Sequence, residues 1–159
     1  LAGAGIAAAG PGEALRLGRL KVAALTDLGT NASQRRGLIG AGALDALLEP
    51  DPAVPVLAFV HWGREWEVAP GPRERELARQ MAARGVAAVL GAHSHRASAG
   101  LDIVGGGTAV MHSLGNFLFD QTGPRATGAL VEARVFPQGT VFLRPVPIPN
   151  LYDIARGAQ

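Results

Sequence analysis

The chain has 159 residues, long enough for one domain with a real core and too short for more than one. Hydrophobic residues make up 48% of it, which places it among globular chains, and the 22 glycines accompany abundant Ala and Arg. The formal charge of +2 is small, and no stretch clusters Lys and Arg with aromatics, so nothing points to a nucleic-acid partner. The absence of cysteine excludes disulfides and thiolate metal sites and leaves the redox compartment open.

No apolar run approaches the roughly 20 residues of a membrane span. The opening LAGAGIAAAG lacks the basic n-region of a secretory signal. It reads instead as the tail of a helix running into a Gly-rich turn. Together with a first residue, Leu1, that is not methionine, this raises the expectation that the chain is the C-terminal part of a longer protein.

In chain order, Leu20–Thr26 (LKVAALT) is β-branched and apolar enough for a strand, and Asp27–Gly37 reads as a polar loop. Gly40–Leu48 predicts a short helix ended by the Glu-Pro-Asp-Pro cluster at Glu49–Pro52. Val54–Val60 is a continuous apolar run, as in a strand covered on both faces. Arg73–Arg84 predicts a helix: Pro72 suits its first turn, Leu77 and Met81 share one face, and Gly85 suits the left-handed position after its end. Val86–Leu90 is a further apolar strand. Strand, helix, strand in this order predicts a right-handed crossover within one parallel sheet. Beyond His95, the segments LDIV, GTAVMHS, GALVEARVF and TVFLRPVPI read as strands separated by tight turns, and the expectation is that they are antiparallel. There is no internal repeat, and a single domain over residues 1–159 is expected.

Three of the four histidines fall at strand ends. His61 follows the run ending at Val60, and His93 and His95 follow the run ending at Leu90. If those strands are parallel, the three imidazoles emerge at one carboxyl edge, where α/β sheets gather ligands. Neighbouring strands lie about 4.8 Å apart, and imidazole nitrogen binds zinc and similar ions at about 2 Å. His61, His93 and His95 are therefore candidate metal ligands. Gly63 and Gly91 read as residues permitting sharp exits from the strands. An isolated histidine at a strand end is usually a hydrogen-bonded surface or core residue, so the argument rests on the three together.

The signatures His-Trp-Gly-x-Glu (His61, Trp62, Gly63, Glu65), Gly-x-His-x-His (Gly91, His93, His95) and Ser-Leu-Gly-Asn-Phe (Ser113–Phe117) occur in this order. In these motifs the chain resembles the C-terminal half of the CapA family of poly-γ-glutamate capsule synthesis proteins, which are similar to calcineurin-like metallophosphatases. The resemblance implies an α/β fold, a partial metallophosphatase-like αββα sandwich with a parallel β-α-β core followed by antiparallel strands. It also implies a pair of divalent ions (Mn, Fe or Zn), with His61 and His93 on one and His95 on the other. It implies hydrolysis of a phosphoester or amide bond in an anionic polymer, a capsule synthesis complex as partner, and an extracytoplasmic, envelope-associated location.

The family's Gly-Asp and Asn-Asn-His motifs have no counterpart here and are expected upstream of Leu1. His112 stands where the family pattern has Tyr, and a packed strand residue is the expectation for it. A histidine beside the ions would protonate the leaving group, which makes His61, His93, His95 and Glu65 the catalytic candidates. Glu65 is open between proton acceptor, orienting partner of His61, ligand for substrate amines, and solvated loop carboxylate. Trp62 and Trp66 are open between walls of the site and core. Asn116 is read as a turn residue rather than a hydrogen-bonding group of the site, and Arg96 as a solvated residue rather than an anion contact.

Overall fold

A computed structural model describes residues 4–28, 39, 44–45, 53–120 and 127–149. Apolar segments bounded by Gly and Pro become its strands: β1 (Ala14–Leu17), β2 (Leu20–Thr26), β3 (Val56–His61), β4 (Ala88–Ala92), β5 (Asp102–Val104), β6 (Thr108–Met111), β7 (Thr127–Val135) and β8 (Val141–Pro149). The helix α1 (Pro72–Ala83) lies between β3 and β4. Most of the expected loop at 27–37 and of the expected helix at 40–48 lies outside the described residues.

The first six strands form one sheet in the order β1-β2-β3-β4-β6-β5, and β7 and β8 form a separate hairpin. β2, β3, β4 and β6 run parallel, and the edge strands β1 and β5 run antiparallel to their neighbours. β3, α1 and β4 form the parallel strand-helix-strand unit within one sheet that the sequence predicts. Among the strands beyond His95, the β5–β6 and β7–β8 pairings are antiparallel as expected. β6 also pairs in parallel with β4, so it extends the parallel core. A strand inside a sheet has two neighbours, and local sequence reveals only the one joined by the tight turn.

The alternation of side chains along β3 sends Val56, Ala58 and Val60 to one face and Leu57 and Phe59 to the other. On the first face α1 packs Leu77, Ala78 and Met81, all at 1% exposure or less, against Ala58, Val60, Val89 and Val110. Burial of side chains the size of Leu77 or Met81 stabilises by about 1.5–3 kcal/mol each. Pro72 opens the helix with its fixed φ, Glu74 sits in the first turn, and Gly85, at φ +77°, follows the C-cap residue Arg84. On the second face Leu57, Leu90 and Met111 pack against Val141 and Leu143 of β8. Helix, sheet and hairpin thus form three layers. Among the described residues no helix is long and apolar enough to cross a membrane.

Candidate functional site

The parallel block places the carboxyl ends of β2, β3, β4 and β6 along one edge of the sheet. His61 is the last residue of β3 and lies in register with Thr26 of β2 and Ala92 of β4. His93 follows β4 directly, and its ring meets that of His61 edge-on, with centroids 4.6 Å apart and planes at 62°. The His93 and His95 rings lie 6.5 Å apart. The three sequence-predicted histidines therefore share one patch.

The backbone there is unusual. Trp66, His93 and His95 have φ of 71°, 115° and 57°, the only non-glycine residues with positive φ among the described residues. Such conformations are disfavoured by about 1–3 kcal/mol each and persist where surrounding contacts enforce them. Those contacts are visible: Trp66 N donates to Ser94 O at 2.8 Å, Trp62 N donates to Ala92 O at 3.1 Å, and Ser94 Oγ closes a turn onto Arg96 O at 3.1 Å. The loop after β3 and the loop after β4 are thereby tied to each other.

His61 is half-buried, and its pKa lies below the usual imidazole value. Burial is the largest cause, followed by repulsion from His93 and then His95. Both causes penalise the cation, so at neutral pH His61 keeps a nitrogen lone pair available for coordination. His95 is held on three sides. Trp66 stacks on it at 4.9 Å, Phe119 tilts against it at 5.0 Å, and its Nδ1 lies 2.8 Å from Asn116 Oδ1. Asn116 therefore reaches the site, a contact that the sequence ranks second to a turn role.

The two tryptophans separate. Trp62 is core, 2% exposed, stacked on His112 at 5.7 Å, with its Nε1–H donated to His112 O at 2.9 Å. Trp66 walls the site. His112 is a packed residue at the end of β6, as expected, and it lies at the same sheet edge. Its Nε2 lies 3.0 Å from Asp102 Oδ2, and its buried Nδ1 has no partner among the described residues. Glu65 is exposed in the turn after β3 and makes no hydrogen bond or ion pair among the described residues. Asp27, which the sequence places in a loop, stands at the carboxyl end of β2. Its N–H donates to His61 O at 2.9 Å, and its carboxylate takes a bidentate contact from Arg73.

Gly63 permits a sharp exit from its strand, at φ +84°. Gly91 serves differently: it lies within β4, and a Cβ there would fall 2.0 Å from His112 O and 2.4 Å from Trp62 Nε1. Only a residue without a side chain lets the Trp62–His112 contact pass behind the histidine loop.

The donor chemistry suits a borderline divalent ion, since imidazole nitrogen is a ligand that zinc and iron take. Among the described residues no group of three or more His, Asp or Glu side chains is gathered closely enough to hold an ion. Beside His61 a cavity of about 310 Å³ opens, walled by Ala9, Pro11, Ala24 and Phe59.

These motifs fall inside the segment, residues 42–121, that matches the family described as Bacterial capsule synthesis protein PGA_cap. This chain belongs to that family. It is 36% identical over 94 residues to the Capsule biosynthesis protein CapA of Bacillus anthracis and, equally, to the PGA biosynthesis protein CapA of Bacillus subtilis (strain 168). Each match covers 58% of this chain and, respectively, 22% and 24% of the relative, so the shared stretch spans under a quarter of either relative's length. The fold is also similar to the crystal structure of a hypothetical protein from Thermus thermophilus. The TM-score is 0.55 at 17% identity, over 87% of this chain and 61% of the other. At that identity the likeness is one of fold alone.

Proposed function

We propose that the chain carries the histidine half of a metal-dependent, hydrolase-type site used in capsule biosynthesis. The substrate class is a phosphoester, or an amide bond in an anionic polymer such as poly-γ-glutamate. The observation that carries this reading is the convergence of His61, His93 and His95 on one sheet edge, with strained backbone at two of the three. Those histidines would hold divalent Mn, Fe or Zn, and a bound pair of such ions supplies an acidified water and neutralises charge on the oxygens under attack.

The chain's own residues have separable tasks. Burial and like-charge neighbours keep His61 neutral and able to ligate. Trp66, stacked at 4.9 Å, and Phe119, tilted at 5.0 Å, restrict the orientation of the His95 ring. An imidazole at this edge that is not engaged with an ion can deliver a proton to a leaving group, a contribution of about 10²–10⁴ in rate.

A second reading is a polymer-binding assembly or export component that retains the fold without cleaving, or an inactive module. Two measurements on the full-length protein separate the readings: its metal content, and polymer turnover by His93→Ala. Two equivalents of Mn, Fe or Zn, with turnover lost in a folded His93→Ala variant, support the hydrolase. A protein that takes up no metal and turns over nothing contradicts it.

A further inference from the structure

The Ser-Leu-Gly-Asn-Phe turn delivers the amide of Asn116 to the His95 ring, 21 residues away in sequence. An amide oxygen can only accept, so the Nδ1 it faces must carry the proton. From this contact we infer that Asn116 is a positioning residue: it fixes His95 in the Nδ1–H tautomer and leaves Nε2 as the ring's lone-pair nitrogen. This deepens the proposed metal reading, because it selects which nitrogen can ligate an ion, and hydrogen bonds of this kind orient ligating histidines.

Asn116 is itself held from three directions. It is 5% exposed. Gly115, at φ +69°, bridges to Gly128 of β7, and Leu114 bridges to Ala97, two residues past His95. Asn116 N donates to Thr127 O at 3.2 Å, and Ala129 N donates to Leu114 O at 2.8 Å. A Cβ on Gly128 would fall 1.9 Å from Asn116 O, so only glycine lets β7 come this close. The β7–β8 hairpin thus does more than cover the second face of the sheet: its first residues seat the turn that orients His95.

The test is nitrogen-15 imidazole spectroscopy on the full-length, metal-free protein at about pH 8, where an ordinary imidazole is neutral. The expected result is a His95 signal of the Nδ1–H form in the native protein and in Asn116→Asp, whose carboxylate still accepts. In Asn116→Leu that preference is lost. Zn2+ added alone then moves the His95 Nε2 signal in the native protein, and Asn116→Leu binds Zn2+ about 10–100-fold more weakly. An Nε2–H signal in the native protein overturns the inference, and it needs no variant to fold. If the tautomer is as expected but Zn2+ leaves His95 unmoved, the positioning role stands and the metal reading fails.

Discussion

Trp62 and His112 are joined twice, through indole-to-imidazole stacking at 5.7 Å and through a hydrogen bond from Trp62 Nε1 to the His112 carbonyl at 2.9 Å. The two residues end neighbouring parts of the sheet edge, β3 and β6, with β4 between them. The pair therefore bolts the edge that carries His61 and His93. Trp62→Phe keeps an aromatic ring but a smaller one, and removes the N–H, leaving a gap in the core and a buried carbonyl short of its donor. It should lower unfolding free energy by about 1–3 kcal/mol in denaturant titration. An unchanged midpoint would show that the carbonyl is satisfied elsewhere.

Gly91 should tolerate nothing larger. A methyl there would overlap the His112 carbonyl, which is backbone and cannot swing away. Overpacking of this kind destabilises by roughly 1–3 kcal/mol or more. Gly100, where an added Cβ meets nothing within 4 Å, is the control. Gly100→Ala should stay within about 0.5 kcal/mol of native. Equal thermal midpoints for the Gly91→Ala and Gly100→Ala variants would refute the close-approach account.

How much of this is legible in the sequence differs by element. β2, β3, β4 and α1 follow from apolar runs and from Pro72 and Gly85 as punctuation, all local signals. β1 escapes notice because four residues with an arginine carry too little alternation to register. The convergence of His61 with His93 and His95 can be read because parallel strands put successive carboxyl ends together. The seating of Asn116 cannot be read, because it depends on a bridge to Gly128 in a separate hairpin. The role of Gly91 is hidden for a similar reason: the obstructing atoms belong to residues 62 and 112, both distant in sequence.

His112 makes stability depend on pH. Its pKa lies below the ordinary value, chiefly because of burial and against the opposing pull of Asp102 and Glu74, with Arg75 adding to the depression. At neutral pH the Asp102 contact is thus a hydrogen bond from a neutral ring, and protonation would place a second N–H at the buried Nδ1, which has no partner among the described residues. The unfolded chain takes up this proton as pH falls through about 6.5, while the folded chain resists until its own lower pKa. The contribution of His112 to stability is therefore intact above that pH and shrinks below it. Between about pH 8 and pH 5, native protein should lose more stability than His112→Phe, which keeps the stacked ring and cannot titrate. Equal losses would contradict this.

The central claim is that imidazoles from separate strands share a cation, and an anomalous-scattering map of full-length protein crystallised with Zn2+ tests it most directly. The account predicts a peak about 2.0–2.1 Å from a ring nitrogen of His61 and from one of His93 or His95. A map with no peak at this edge, or with zinc bound by none of the three, would contradict it.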